Sequence, residues 1–534
     1  MSNLLVLGAS LGNCVHVAGV MHFLQLAEQE GYQTHFLGPA VPVPDLLEAI
    51  QTEKPELVAV SYRLTPEVAK ALFAELQEGL ETRSLTGVRM ALGCTPPVAE
   101  VARQYPLFEA VFTGLEPVGE TLRYLRGGAE VAPEEVWGQT LLERIASKRP
   151  YPLLRHHFGQ PTVAATVEGA RLIAQAGALD VLSLGPDQNA QEFFFHPERM
   201  RPELDGAGGV AIRSAEDLRA IYEATRCGNY PLLRIYAGTN DLLRWAELAV
   251  ETIHNAWGAI PLFWYSTLDG RSERPLAQAI TEHQQVMAWY AGHDLPVECN
   301  DSHQWSMREA PDTVAVAAAY LGAYMAKAMG VRTYVAQYMF NSPAATTGAM
   351  DLGKMLAKID LIESLHDDSF TSLRQTRAGL LSFSPQPHFA KGQLAASTVL
   401  ALALQPQICH VVGYSEGDHA STAEELIESC AIVDGVIHNN LEGAPDLTCD
   451  PRVQERRRQL VQEASQLLEA IASLGSGTED PLTEPETLAR AVELGLLDAP
   501  HLAGRPGGLG QVVTRAVEGR IEAVDPDSGA VIPE

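Results

Sequence analysis

The stretch Gly12-Asn13-Cys14-Val15-His16-Val17-Ala18-Gly19 follows the apolar run Leu4-Leu5-Val6-Leu7 and precedes apolar residues at helical spacing. The run predicts a buried strand, and the spacing predicts a helix. We therefore expect His16 on a strand-to-helix loop at the carboxyl edge of the first strand, where open parallel sheets bind ligands. A neutral imidazole there can offer a lone pair to a metal, while its other nitrogen needs a hydrogen-bond partner. Taken alone, a loop histidine is more often an ordinary surface residue.

Two further loops supply the context that a single histidine lacks. Ser61-Tyr62-Arg63-Leu64-Thr65 follows the apolar run 57–60, and Gly93-Cys94 follows the run 88–92. In this order the three loops resemble the D-x-H-x-x-G, S-x-L and Gly-Gly motifs of the cobalamin-binding domain of B12-dependent mutases and methionine synthase. The resemblance covers residues 1–128 and implies that His16 is the axial cobalt ligand, in place of the nucleotide base of the cofactor. The cofactor-binding residues that it implies are Gly12, Asn13, Cys14, His16, Gly19, Ser61, Arg63, Thr65, Gly93 and Cys94.

Three residues depart from the family pattern. Cys14 stands where the family has an aspartate that bonds the far nitrogen of the ligating histidine, and Arg63 and Cys94 replace a leucine and the second glycine. An aspartate would raise the basicity of the imidazole, whereas a thiol is a weak hydrogen-bond partner. Asn13 is the alternative partner for His16.

The first 128 residues alternate apolar runs with helical patterns. The runs near 4–7, 33–37, 57–60, 88–92 and 110–113 predict the strands of a doubly wound α/β domain, Rossmann-like or flavodoxin-like. Gly127-Gly128 and the acidic residues after it are typical of a linker, which we place at 129–150.

From about residue 155, apolar segments recur at wider spacing, and each ends in a polar loop with glycine, proline or both charge signs. The predicted strands are 181–184, 232–236, 260–265, 295–298, 334–338, 380–383 and 408–412. Such strand–loop–helix units favour a TIM-type (β/α)8 barrel at 151–475, with its polar loops gathered at the carboxyl face, over a second open sheet. Residues 476–534 are too few for a core of their own, so we expect this C-terminal extension to pack on the barrel. Its closing hairpin is predicted from Arg520, with the turn at 527–529.

The polar loops of the predicted barrel carry residues suited to substrate binding and proton transfer. Arginine grips a carboxylate through two parallel hydrogen bonds. The predicted substrate-binding residues are Arg234, Arg271, Arg274, Arg308 and Tyr338. The predicted catalytic residues, which would act as acids or bases, are Glu298, His303, Glu416 and His419. For each of them the structural alternative is an ion pair, a loop cap or a place in the barrel core.

Cys299, His303, Cys409 and His410 raise the possibility of a zinc site of the kind that zinc methyltransferases use. No pair of these residues has a recognised metal-ligand spacing. His410 also lies within a predicted strand, where alternation turns it away from Cys409. The sequence therefore disfavours zinc.

Composition narrows the partners and the compartment. The 534-residue chain carries a net charge of −29, which argues against nucleic acid or an anionic membrane as a partner. No apolar run reaches the length of a membrane span, and the N-terminus lacks a signal-peptide pattern. Seven scattered cysteines without a C-x-x-C motif predict reduced thiols in a cytoplasm. We expect a homodimer that acts on a small-molecule carboxylate.

In its predicted architecture and in the polar composition of its loops, the barrel resembles the catalytic chain of glutamate-mutase-type carbon-skeleton mutases and the related aminomutases. This resemblance implies an adenosylcobalamin-dependent isomerase that rearranges a small carboxylate-bearing substrate by a radical mechanism. Two other functions stay open at this point. One is a corrinoid-dependent methyltransferase, because adenosyl and methyl cofactors share their lower face. The other is a non-catalytic B12 carrier or sensor.

Overall fold

The computed structural model describes residues 4–114, 118–127, 137–441, 443–475 and 477–532. The chain divides into two compact units, Met1–Ala132 and Pro133–Glu534. The predicted linker 129–150 lies partly outside the described residues, and its second half is not a linker. Residues Leu141–Lys148 form a capped helix whose Arg144 donates hydrogen bonds to the carbonyl oxygens of Asn229 and Tyr230, so this segment belongs to the second unit.

The first unit is built on a parallel sheet. Its strands are β1 (Leu5–Leu11), β2 (Gln33–Val41), β3 (Leu57–Tyr62), β4 (Arg89–Cys94) and β5 (Ala110–Phe112). Its helices are α1 (Ala18–Gln29), α2 (Val43–Glu53), α3 (Pro66–Thr82), α4 (Pro96–Ala102) and α5 (Val118–Leu125). The strand order β2-β1-β3-β4-β5 is that of a flavodoxin-like sheet, which confirms the predicted fold.

The central strands of this sheet are apolar on both faces because helices cover both sides of a parallel sheet. Every residue of β3 is buried, and the neighbouring residues Val6 and Leu7 of β1 pack into different apolar clusters. β1 ends at Leu11 and is followed by Gly12, whose φ of +65° is a conformation that favours glycine. A Cβ atom there would also lie 2.6 Å from the side chain of Leu72. The chain therefore turns at Gly12 and carries His16 on the loop before α1, as predicted.

The second unit contains a nearly closed barrel of parallel strands. These are β6 (Leu153–Phe158), β7 (Val181–Leu184), β8 (Leu232–Ile235), β9 (Gly258–Ala259), β10 (Val297–Cys299), β11 (Thr333–Tyr338), β12 (Thr371–Ala378) and β13 (Ile408–Val411). Their order is β8-β7-β6-β13-β12-β11-β10-β9, and the N–H of Ala256 donates to the carbonyl oxygen of Leu233 (2.9 Å) beside the gap between β8 and β9. This arrangement confirms the predicted α/β barrel.

Helices surround the barrel strands. They are α6 (Leu141–Lys148), α7 (Val163–Ala176), α8 (Gln188–Phe193), α9 (Ala215–Ala224), α10 (Leu242–Ile253), α11 (Leu276–Gly292), α12 (Asp301–Met307), α13 (Asp312–Ala328), α14 (Gly348–Glu363), α15 (Pro387–Leu402) and α16 (Ala423–Leu441). Among the helices of the described ranges, none has both the length and the apolarity needed to cross a membrane.

Three barrel strands differ from the sequence prediction. β6 was not predicted, the predicted strand 380–383 is the loop that follows β12, and 260–265 is irregular chain after the short β9. Arg155 and His157 of β6 and Gln375 and Arg377 of β12 bond within the barrel or line its cavity. Polar inward positions interrupt the apolar runs of β6 and β12, so the first of these strands was missed and the second was displaced.

The C-terminal residues pack on the barrel helices. They form α17 (Pro451–Leu474), α18 (Pro485–Glu493) and the antiparallel hairpin β14 (Thr514–Val517) and β15 (Arg520–Ala523). Leu488 and Val492 of α18 share an apolar cluster with Ile280 and Met325 of the barrel helices. The predicted hairpin turn at 527–529 was wrong. The hairpin turn lies before β15 instead of after it, because β15 pairs with the preceding strand β14. The later turn is closed by one bridge, between Val524 and Val531.

Candidate functional site

His16 is exposed on the loop between β1 and α1. The Sγ atom of the buried Cys14 lies 3.7 Å from its Nδ1 atom, so the residue in the aspartate position is the neighbour of that nitrogen. Asn13, the alternative partner, is engaged elsewhere, since its Oδ1 atom accepts a hydrogen bond from Tyr62 at 3.4 Å. Nε2 is therefore the ring nitrogen left for a metal.

Two buried serines fix the backbone of this loop. The Oγ atoms of Ser10 and Ser61 lie 3.3 and 3.1 Å from the carbonyl oxygen of His16, and 3.2 Å from each other. Ser10 belongs to β1 and Ser61 to β3, so the two central strands of the sheet hold the histidine loop together. The structure thus gives Ser61 a positioning role toward His16.

A cavity of about 460 Å³ opens at the same edge of the sheet, between α1 and the ends of β3, β4 and β5. Of the predicted cofactor residues, its lining includes Gly19, Ser61, Arg63, Gly93 and Cys94. A Cβ atom on Gly19 would meet no atom within 4 Å, so this part of the wall is open. These residues fit a cobalt-bound cofactor, because the exposed His16 imidazole offers a nitrogen ligand. The cavity at the same sheet edge leaves room beside it.

The other predicted cofactor residues contribute differently. Gly12 makes the turn that ends β1, and Thr65 directly precedes the first turn of α3. Neither residue lines the cavity. Both residues lie at the same edge of the sheet as the cavity.

A second cavity, of about 430 Å³, lies at the carboxyl ends of the barrel strands. Its charged and imidazole lining consists of Arg155, His157, Arg271, Glu298, His303, Arg377, His410 and Glu416. The predicted residues Arg271, Glu298, His303 and Glu416 thus meet in one place from three parts of the barrel, with Glu298 on β10 and His303 on the helix α12 that follows it. Such a concave, polar cavity at the carboxyl face of a barrel is a typical position for an active site.

Glu298, on β10, has hydrogen-bond partners on both carboxylate oxygens. Oε1 accepts from Arg234 at 2.7 Å, and Oε2 accepts from the Trp257 indole at 2.6 Å and from Gln375 at 3.3 Å. Burial acts to raise the pKa of Glu298, but Arg234 and Arg155 outweigh burial and hold that pKa below its ordinary value. An ionised carboxylate with these partners is better suited to holding cations in place than to proton transfer.

Arg155 and His157, both on β6, form a linked pair in the barrel interior. Arg155 donates to the Ser183 hydroxyl at 2.6 Å and to Gln375 at 3.0 Å, and its Nη2 atom lies 2.8 Å from Nε2 of His157. Because arginine only donates, Nε2 must accept, and the proton of a neutral ring is on Nδ1. Burial, with Arg155 nearby, holds the pKa of His157 well below its ordinary value. Burial also lowers the pKa of Arg155, to about 10, so at neutral pH the arginine is charged and the histidine is not.

Arg271 and Arg377 add two more guanidinium groups to the cavity wall. Arg271 donates to the Gln191 side chain at 2.7 Å, and its guanidinium carbon lies 5.1 Å from the ring centroid of Tyr265. Arg377 is 4% exposed and donates to the carbonyl oxygen of Phe340. Burial lowers the pKa of Arg377 to about 10, so it also stays charged at neutral pH.

Three predicted substrate-binding arginines have structural partners instead, and the first of them, the buried Arg234, pairs with Glu298 and does not line the cavity. Arg274 forms an ion pair with Glu282 and donates to the carbonyl oxygen of Tyr265 at 3.0 Å. The guanidinium carbon of Arg308 lies 3.9 Å from the Trp264 ring centroid. Neither of these last two arginines lines the cavity, so the loop contacts account for both.

Two further predicted residues also lie away from the cavity lining. Tyr338 has no exposed surface and belongs to the apolar cluster between strands and helices, because strand alternation turns Gln337 and not Tyr338 inward. His419 is exposed and lies 2.9 Å from Asp418 and 3.0 Å from Glu425. Hydrogen bonds to these two carboxylates raise the pKa of His419. Tyr338 is therefore a packing residue, and His419 is part of a surface ion-pair cluster.

Of the charged and imidazole side chains that line the cavity, the prediction missed four: Arg155, His157, Arg377 and, as a binding residue, His410. A signal for them exists in the sequence. Arg155 and His157, and likewise Gln375 and Arg377, are polar residues at alternate positions of one segment. In a strand such residues lie on the same face, which for a barrel strand is the interior.

The residues considered for zinc have separate partners. Cys299 donates to Asp301 at 2.9 Å, and His303 lies 3.0 Å from the Ser342 hydroxyl through Nδ1. Burial raises the pKa of Cys409 to about 12, so this thiol is not a ready thiolate. In the part of the chain that the structure describes, no group of three or more His, Cys, Asp or Glu side chains is placed to hold a metal ion.

Comparison with protein families agrees with the cobalamin-binding resemblance of the first unit. Residues 4–136 match the family model of the B12 binding domain. With its flavodoxin-like sheet and its His16 loop, the first unit is a B12-binding domain. The comparison with curated proteins gave no match. By fold and by family model, the protein therefore joins a cobalamin-binding domain to an α/β barrel with a polar cavity.

Two solved structures are similar to parts of the chain. A novel cobalamin-binding protein from Desulfitobacterium hafniense DCB-2 is 20% identical, with a TM-score of 0.21 over 24% of this chain and 59% of that one. The chain therefore spans less than two thirds of the length of that protein. A Rubisco-like protein from Rhodopseudomonas palustris is 10% identical, with a TM-score of 0.33 over 60% of this chain and 78% of that one.

Proposed function

We propose that the protein is an adenosylcobalamin-dependent isomerase that rearranges a small carboxylate-bearing substrate. The observation that carries the proposal is that one chain holds a B12-binding domain and a barrel cavity walled by Arg155, Arg271 and Arg377. A volume of about 430 Å³ suits a small molecule. Guanidinium groups bind carboxylates by paired, charge-assisted hydrogen bonds.

The charge balance of the cavity favours an anion. Glu298 is matched by its buried partner Arg234 at 2.7 Å, so this pair adds no net charge. The remaining charged lining is three arginines against Glu416, whose side chain is 38% exposed. A carboxylate that enters the cavity would therefore be attracted, and burial away from water would strengthen the attraction.

Bound adenosylcobalamin would supply an organic radical through homolytic cleavage of its cobalt–carbon bond. The residues of this chain would hold and orient the substrate and keep water from it. His303 suits that task because burial, together with the nearby Arg377, Lys358 and Lys354 charges, holds its pKa well below the ordinary value. A neutral imidazole can hold the substrate by a hydrogen bond without carrying an acidic proton into the cavity.

The test is a screen of small amino acids and hydroxy acids with the full chain and adenosylcobalamin. A substrate should cause loss of the cobalt–carbon absorption, and samples frozen during turnover should give an electron paramagnetic resonance signal of a radical pair. Arg271→Met should lose this signal at the same substrate concentration. Arg219→Met is the matched control, because Arg219 lies on the exposed face of α9 and pairs with Glu251 at 2.8 Å. Transfer of a methyl group from methylcobalamin, with no radical signal for any substrate, would instead identify a corrinoid methyltransferase.

A further inference from the structure

We propose that the C-terminal hairpin positions the cavity residue His303 through a buried relay of charged groups. The relay consists, in spatial order, of Glu522, Arg456, Asp312, Lys354 and Ser342. It connects β15, at the end of the described chain, to the loop after β11 at the barrel cavity. It gives the C-terminal extension a role in the site beyond packing on the barrel.

The first part of the relay joins the hairpin to α13. Arg456 of α17 is 1% exposed and donates to Glu522 at 2.9 Å and to Asp312 at 2.9 Å. The backbone N–H of Ile521 also donates to Asp312, at 3.2 Å. The main chain of the hairpin strand and Arg456 therefore converge on one buried carboxylate, Asp312, and Glu522 of the same strand holds Arg456.

The second part joins α13 to α14 and to the loop after β11. The ammonium group of Lys354 lies 3.0 Å from carboxylate oxygens of both Asp312 and Asp351 and donates to the carbonyl oxygen of Ser342 at 3.0 Å. Burial acts to lower the pKa of Lys354, but the two carboxylates outweigh it and raise that pKa, so the lysine stays charged. Asp351 also accepts the N–H of Asn341 at 2.6 Å. The backbone at 341–342 is thus fixed by a charged cluster.

The last contact reaches the cavity. The Ser342 hydroxyl lies 3.0 Å from Nδ1 of His303, and His303 lines the cavity. Because Lys354 fixes the carbonyl group of Ser342, it fixes the backbone from which the Ser342 hydroxyl reaches the imidazole. His303 is accordingly held through Ser342, and Ser342 is held through the relay.

A second set of contacts brings the hairpin to the same loops. The carbonyl oxygen of Gly519, in the hairpin turn, accepts the N–H of Thr347 at 2.9 Å, and the Thr514 hydroxyl donates to the carbonyl oxygen of Glu309 at 2.8 Å. A Cβ atom on Gly519 would lie 2.3 Å from the Thr347 side chain, so the turn is packed closely against the start of α14. The hairpin therefore contacts the chain that directly follows α12, the helix of His303, and the end of the loop after β11, which carries Ser342.

Members of a buried ionic network act as a unit, because removing one leaves the next unpaired in a low dielectric. The loss of Arg456 should therefore loosen Lys354 and Ser342 and, through Ser342, the imidazole of His303. If the relay served stability alone, the loss of Arg456 would loosen all sides of the cavity alike. This difference makes the positioning role testable without substrate or cofactor, so the outcome is independent of the proposed isomerase activity.

The experiment measures the rate at which diethylpyrocarbonate modifies individual histidines of the full chain, read by mass spectrometry of their peptides. Arg456→Met should raise the rate at His303 by about tenfold, which corresponds to 1.4 kcal/mol of easier local opening. His410, on β13 in the same cavity, should keep its rate. Arg457→Met is the matched control, since Arg457 follows on the same helix, pairs with Asp360 at 2.5 Å and is half-buried.

Ser342→Ala provides a second arm that leaves no buried charge unpaired and so avoids a folding defect. It should raise the rate at His303 as Arg456→Met does, and Arg456→Lys should restore part of the protection. Equal acceleration at His303 and His410 would overturn the proposal in favour of general loosening. An unchanged His303 rate in Ser342→Ala would also overturn it, because the hydroxyl would then not be what holds the imidazole.

Discussion

Replacement of Arg234 by methionine should destabilise the second unit by about 3 kcal/mol. Arg234 and Glu298 are 0% and 1% exposed, and they lie 2.7 Å apart in the barrel interior. Removal of one member of a buried ion pair leaves the other as an uncompensated charge, at a cost of about 3–5 kcal/mol. We expect the lower end of this range because Arg155 also holds the pKa of Glu298 down and would keep part of the compensation. Methionine fills most of the arginine volume, so a void adds little.

The assay is urea unfolding followed by tryptophan fluorescence. All six tryptophans lie at or beyond Trp137, so the signal reports the second unit alone. Arg219→Met, which breaks an exposed pair, should change the free energy of unfolding by no more than about 0.5 kcal/mol. The deficit of Arg234→Met should shrink as the pH falls, because the unpaired Glu298 can then take up a proton. A deficit below about 1 kcal/mol at neutral pH would refute the reasoning, since the buried carboxylate would then not depend on Arg234.

Three more outcomes follow from the same geometry. Burial and the neighbouring Lys354 lower the pKa of Lys358 from 10.5 to about 7, so between these values the unfolded chain binds more protons and stability rises with pH. Lys358→Met should remove that rise. The free energy by which the variant is more stable than the unmodified protein should shrink by up to about 1.4 kcal/mol per pH unit between pH 7 and 9. Parallel plots of unfolding free energy against pH for the two proteins would contradict this. Cys14→Asp should tighten cobalamin binding by about tenfold, measured as Kd, because a carboxylate beside Nδ1 makes His16 a better ligand; an unchanged Kd would show that Cys14 already suffices. Arg271→Lys should lower kcat/KM for the substrate found in the screen by about tenfold through loss of the two-pronged contact, whereas unchanged kinetics would make Arg271 structural.

The first unit could be predicted almost completely because its central strands are buried on both faces and are largely apolar. The runs ending at Val60 and Leu92 led directly to β3 and β4, and the loops after them carry Ser61 and Gly93. The hydrogen bond that Ser61 makes to the His16 backbone could not be predicted. It depends on how closely β1 and β3 lie side by side, which the pattern of apolar residues does not specify.

The barrel was predictable as an architecture but not residue by residue. Its interior is polar near the carboxyl ends, so β6 and β12 carry Arg155 and Arg377 at positions where a run-based prediction expects apolar side chains. The pairing of Arg234 with Glu298 was also out of reach, because these residues are 64 positions apart and meet only when β8 and β10 are placed in one barrel. Arg271 lies on a long loop. It was recognisable because it directly follows Gly270, in a turn after an apolar segment.

The most direct test of cobalamin binding through His16 is electron paramagnetic resonance of the protein-bound cofactor after reduction to the cobalt(II) state. The full chain would be prepared once with ordinary histidine and once with histidine labelled with nitrogen-15. If His16 is the axial ligand, the nitrogen splitting of the cobalt signal should change from three lines to two on labelling, and His16→Ala should lose the histidine splitting. Three lines in both preparations would show that the nucleotide base of the cofactor remains the ligand, and would contradict the assignment of His16.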